Sequence, residues 1–155
     1  MTNSNPYQHI LAAVDGSKIT SKVLDSAIKA ALRNNADLNI LRIVQITQLT
    51  DGYSNASMNS EQTYSIVKTT KERLEDLQKK AEEAGVKNVS IHIRFGNPKR
   101  VIAREFPDDH QTDLIVMGAT GVSGIERVVL GSVTHYVSRM APCDVMVVRP
   151  NKEDK

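Results

Sequence analysis

Four glycines and a serine are the residues of this chain whose spacing most suggests chemistry. Gly118, Gly121 and Gly124 fall three apart directly after the apolar run DLIVM, and Gly131-Ser132 opens the segment GSVTHYVSRM. A phosphate site needs backbone N–H groups converging on one point, and bulky side chains obstruct that convergence. Gly118 and Gly121 would let a loop turn tightly with its amides inward. Gly131 and Ser132, where a helix begins, would add unpaired amides and the positive end of the helix dipole, and the Ser132 hydroxyl could donate to a phosphate oxygen. The bland alternative is a flexible loop with Ser132 as an N-cap. On glycine count alone the two readings stand level. Two better-known phosphate motifs are absent: there is no GK[ST] tripeptide, and G-x-x-G-x-x-G after a late strand is not the G-x-G-x-x-G dinucleotide fingerprint.

A second candidate is Asp15, in the Asp15-Gly16-Ser17 break after HILAAV. It either hydrogen-bonds its own backbone in an Asp-Gly turn or contacts a ligand, and its place after a strand favours contact. The four histidines, His9, His92, His110 and His135, are scattered without metal-ligand spacing, and His135 reads as a surface residue. Cys143 reads as packing. Arg127 could reach a phosphate or stand in solvent. Nothing pairs a nucleophile with a base, and no two carboxylates form an acid–base couple, so phosphates can be held without being cut.

The elements that must position these residues alternate. His9–Val14 is a short apolar run suited to a strand buried on both faces. From Lys18 to about Asn35, Leu24, Ala27, Ile28 and Ala31 define one helical face. Leu38–Val44 is a second strand. The polar stretch that follows, about 46–60, is too poor in apolar residues to pack and reads as a mobile loop. A helix from Ser60 to Ala84 carries Val67, Leu74, Leu77, Ala81 and Ala84 on one stripe, with Gly85 as its C-terminal cap. Val89–Phe95 alternates like a strand with unequal faces. Pro98 can open a short helix buried through Val101, Ile102 and Phe106. Asp113–Met117 is a fourth strand. Val133, Val137 and Met140 mark a helix over 131–140, which Pro142 stops, and Asp144–Val148 is the last strand.

Strands separated by helices imply right-handed crossovers and a mostly parallel, doubly wound sheet, with ligands at the carboxyl ends of its strands. At 155 residues the chain suits one domain, 1–155, with a core over about 8–150. A net charge of +2 is too small to argue for nucleic acid or an anionic membrane. No apolar run approaches the roughly 20 residues that span a bilayer, and one cysteine excludes an internal disulfide. Cytoplasm is the expected location.

Gly118-x2-Gly121-x9-Gly131-Ser132 resembles the nucleotide-binding pattern of the ATP-binding universal stress proteins, with every fixed position filled. The resemblance extends through ILAAVDGS, LNILRIV, FGNP and APCDVMVV. It implies a Rossmann-like, adenine nucleotide alpha hydrolase-like α/β fold: a five-stranded parallel sheet of order 3-2-1-4-5 with helices on both faces. It implies ATP, with Mg2+ or Mn2+ accompanying the phosphates. By position, Asp15 would lie near the ribose and the metal, and Ile43 and Ala13 near the adenine. Met117 would lead into the loop, and Gly118, Gly121, Gly131 and Ser132 would form the phosphate cradle. Thr120 and Arg42 depart from what many relatives carry. The resemblance further implies a homodimer in which two last strands, Val145–Val148, pair antiparallel at the sheet edge.

The leading expectation is therefore a dimeric stress-response regulatory module that holds ATP. One alternative is a slow ATPase or autophosphorylating enzyme, with Ser132, Thr120 or Thr134 as acceptors. Another is a dimeric adaptor that ignores nucleotide.

Overall fold

A computed structural model describes residues 6–45, 60–120 and 130–150. Five parallel strands form one sheet of order β3-β2-β1-β4-β5. They are β1 (His9–Val14), β2 (Asp37–Val44), β3 (Val89–Phe95), β4 (Leu114–Gly118) and β5 (Asp144–Val148). Central β1 is apolar after His9 because both its faces are covered: Ile10, Leu11 and Ala12 have no solvent exposure. Successive side chains enter opposite cores. Ile10, Ile40, Leu114 and Val116 pack with α1 (Thr20–Asn34) and α2 (Ser60–Glu83) through Val23, Leu24, Ala27 and Leu74. Leu11, Leu41, Ile115 and Met117 pack with Ile102, Phe106 and Val137 on the other face.

The helices keep their expected faces, with adjustments at the ends. In α1, Leu24, Ala27, Ile28 and Ala31 are all buried. The helix closes at Asn35, which adopts left-handed geometry (φ 52°) and donates its N–H to Ala31 O. Gly85, at φ 111°, follows the end of α2 as the sequence predicts. Ala84, expected on the buried stripe, is exposed because α2 has ended at Glu83. Met140 of α5 (Ser132–Met140) is likewise 44% exposed, so Val137 anchors that helix instead.

The helix opened by Pro98 continues past the expected short piece as α3 (Pro98–Arg100), a π-helical turn (Val101–Glu105) and α4 (Phe106–His110). Asn97 caps it, its Oδ1 accepting the Lys99 N–H at 2.9 Å. The widened turn has a cause in the sequence. Pro107 offers no N–H to the carbonyl four residues back, and Phe106 N–H reaches Val101 O instead.

β3 does not divide into a dry and a wet face. His92, Ile93 and Arg94 are all partly buried, since β3 is an edge strand with Ile93 against the α1/α2 core and His92 and Arg94 against Phe106. His110 stacks on Phe106 with centroids 4.1 Å apart, His92 meets both edge-on at 4.9 and 5.0 Å, and Arg94 lies over the Phe106 ring while pairing Asp109 at 3.0 Å. Two of the histidines expected to be scattered are thus neighbours. Among the described residues, though, no group of three or more His, Cys, Asp or Glu side chains gathers to hold a metal. The loop expected over about 46–60 lies outside the described residues apart from Ser60.

Candidate functional site

The strand order reverses between β1 and β4, and a cavity of about 330 Å³ opens at the carboxyl ends of β1, β2 and β4. Ala13, Asp15, Ile43, Met117, Gly118, Gly131 and Ser132 all line it. Residues more than a hundred positions apart are brought together because β1 and β4 are hydrogen-bonded neighbours. Gly121, with Gly124 and Arg127, lies outside the described residues.

The cavity straddles the sheet. On the α3/α5 side it is apolar, walled by Ala13, Leu41, Ile43, Pro98, Ile102 and Met117. On the α1 side Val14, Ile19 and Val23 form the wall, with Thr20 and Arg42 among them. Of these, sequence reasoning named Arg42 only as a departure and Pro98 and Ile102 only as parts of a short helix, and passed over Ile19 and Thr20. The rule that ligands sit beyond strand ends could have found Arg42, two residues before the end of β2.

Beyond β4, two glycines have duties other than those expected. A Cβ on Gly118 would stand 2.8 Å from Ile19 Cγ2 and 3.3 Å from Thr120 O, so the missing side chain makes room for α1. The Gly131 N–H was expected to be free for a ligand. It donates instead to Ala119 O at 2.8 Å, because the chain returning from the loop must be fastened to the sheet. Ala119 N–H donates to Val148 O at 2.8 Å, and buried Thr134 donates its hydroxyl to Gly118 O at 2.7 Å.

α5 nonetheless begins at the cavity without a side-chain cap. Its N-cap is Gly131, not Ser132, and glycine offers no side chain to the amides of the first turn. Ser132 is the first helical residue and is exposed. The amides of an uncapped first turn have no helical carbonyl to receive them and carry the positive end of the dipole.

Asp15 is divided between turn and cavity. Its Oδ1 accepts the Ser17 N–H at 2.9 Å, the Asp-Gly turn bond foreseen as the bland reading, while the residue also lines the cavity. Gly16 there has φ 78°, and a Cβ on it would lie 2.7 Å from Arg42 Nη1. The guanidinium therefore lies directly over the turn. Burial pushes the Arg42 pKa below its ordinary range; Asp15 works against that and Arg73 adds to it. Cys143 packs in the α3/α5-side core, and burial raises its thiol to about 11, which keeps it protonated and inert near neutrality. His135 is exposed.

Comparison with known proteins fits this geometry. The model of the universal stress protein family matches residues 6–149. The chain belongs to the universal stress protein family. A putative universal stress protein of Staphylococcus epidermidis is 37% identical over 144 residues, spanning 92% of this chain and 84% of the relative. Among solved structures, universal stress protein UspA from Lactobacillus plantarum superposes with a TM-score of 0.78 at 30% identity, covering 92% of this chain and 98% of its own. A universal stress protein in complex with cAMP superposes at 0.66 and 26% identity, over 93% and 98% of the two chains. The sheet order and flanking helices are those of this family's Rossmann-like α/β fold. No helix among the described residues is long and apolar enough to cross a membrane.

Proposed function

We propose that this universal stress protein is a cytoplasmic regulatory module that holds ATP in the cavity between β1 and β4. The observation that carries the reading is the start of α5, with glycine at its N-cap, on the same cavity as the apolar wall of Ala13, Ile43 and Met117 and the carboxylate of Asp15. Adenine suits the apolar side, and phosphates suit the dipole end beside Ser132. The solved relative in complex with cAMP lends support from outside the chain.

The donor set fits an accompanying Mg2+. Asp15 commits one oxygen to Ser17 N–H, leaving the other to a cation whose remaining ligands are phosphate oxygens and waters. Such an ion would supply charge neutralisation for the phosphate chain. Asp15 would orient it and hold the turn at the same time.

Thermal unfolding with and without Mg-ATP tests the proposal. Ligand at a hundred times its dissociation constant stabilises by about 2.7 kcal/mol, and the unfolding temperature rises accordingly. Ser132→Asp is the discriminating variant. An acid in the first helical turn suits the dipole and leaves the fold intact, yet it repels phosphate. An ATP-induced rise that survives this substitution unchanged overturns the proposed phosphate position. Measuring ADP and protein mass in the same samples separates holding from turnover.

The assembly follows from the sheet edge. β5 is an edge strand with Val145, Met146 and Val147 only partly buried, and identical edges pair antiparallel about a two-fold axis. Val145→Lys should convert a dimer to a monomer in sedimentation analysis; a wild-type monomer defeats this part of the reading.

A further inference from the structure

Four buried side-chain polar atoms lack a hydrogen-bond partner among the described residues: two, Thr20 Oγ1 and Arg42 Nε, belong to residues that line the cavity, and a third, Ser17 Oγ, lies in the turn beside it. Ser17 and Thr20 share a turn, with Thr20 N–H donating to Ser17 O at 3.0 Å, and the Arg42 guanidinium lies over Gly16 within that turn. No ion pair holds Arg42 among the described residues. A half-buried guanidinium whose Nε finds no acceptor among the described residues is costly to keep. Its forked donors match a phosphate's geometry.

We propose that Arg42, with Thr20 beside it, forms a second anion subsite on the α1 side of the Asp15 turn, taking a phosphoryl group carried on the ribose of a bound adenine nucleotide. This rests on the nucleotide reading above and adds the class of nucleotide preferred. Strand order supplies the reason for the ribose. Arg42 stands on β2 and Ser132 begins the helix after β4, on opposite sides of β1. The Arg42 guanidinium lies over the turn after β1 on the α1 side, whereas α5 packs against the opposite face of the sheet. A phosphate chain that ends on α5 runs away from Arg42, so a group gripped there leaves the nucleotide from another position. An arginine beside a ribose is a known way of accommodating a ribose phosphate in doubly wound folds.

Calorimetric titration of wild type, Arg42→Gln and Thr20→Val with AMP, ATP and adenosine 3′,5′- and 2′,5′-bisphosphates tests the subsite. Thermal unfolding of each variant establishes that it is folded. One of the bisphosphates should bind wild type about tenfold or more tighter than AMP, the range expected of a charge-assisted contact. That ratio should fall to near one in Arg42→Gln and severalfold in Thr20→Val. Equal wild-type affinity for AMP and both bisphosphates overturns the subsite and leaves nucleotide binding standing. A bisphosphate preference that survives Arg42→Gln overturns it too. A preference for ATP over AMP that Arg42→Gln removes, without a bisphosphate preference, assigns the arginine to the 5′ chain and overturns the ribose placement. Absence of any nucleotide binding overturns both readings.

Discussion

Beyond β4 the backbone is fastened from three sides: Ala119 N–H to Val148 O, Gly131 N–H to Ala119 O, and the Thr134 hydroxyl to Gly118 O. Beyond β1, the Asp15 turn is held by Ser17 N–H donating to Asp15 Oδ1 and Thr20 N–H donating to Ser17 O, and beside them Ser17 Oγ, Thr20 Oγ1 and Arg42 Nε have no partner among the described residues. Both turns rim one cavity, yet they use their polar groups in opposite ways. The glycines that first suggested a ligand also serve the fold, and the less conspicuous turn carries the unspent donors. A glycine at a cavity rim therefore needs a second observation before it marks a site, and orphaned polar atoms supply one.

The largest effect that could break this comparison is at Gly118. Gly118→Val should cost about 3 kcal/mol in urea unfolding, since its Cβ would stand 2.8 Å from Ile19 Cγ2. Ile19→Ala in the same chain should recover part of that loss, and purely additive effects would show that the two do not meet. Thr134→Val should cost about 2 kcal/mol by leaving Gly118 O without its donor. A neutral result would mean that the carbonyl finds another partner.

Gly16→Ala should cost about 1 kcal/mol through its left-handed φ, and the guanidinium must also move from Nη1's present place. Adding Arg42→Ala should relieve the contact but not the backbone cost. Asp15→Asn keeps an acceptor for Ser17 N–H and should change stability by less than about 0.5 kcal/mol. It should abolish the Mg2+-dependent part of the ATP-induced thermal shift; a retained Mg2+ effect would separate Asp15 from the metal.

Cys143 gives the smallest signal. Its raised pKa means that the folded state disfavours the thiolate, so stability is intact below about pH 9 and declines as pH rises towards about 11. Thiol modification should be slow at pH 8 in buffer and fast in urea. Rapid labelling of the native protein would contradict its burial.

Much of the architecture was legible because period and punctuation act locally. HILAAV reads as a doubly covered strand, and its Ile10, Leu11 and Ala12 are buried on both faces. Asn35 and Gly85 close their helices in left-handed geometry, as short-range backbone sterics require. Positions that depend on a remote neighbour were less legible. Met140 keeps helical spacing yet is 44% exposed, and Ala84 falls just past the end of α2. His92 and His110 are distant in sequence, and only the π-widened turn before Pro107 brings them around Phe106.

The sequence by itself determined the alternation of strands and helices, the glycine–serine motif and the family to which it points, because each is written in spacing along the chain. Tertiary structure decided how Gly118 and Gly131 are used and where Arg42 lies. Whether an amide is free or a guanidinium unpaired depends on what the fold brings opposite it, and Ile19, Ala119 and Gly16 arrive there through packing and strand order.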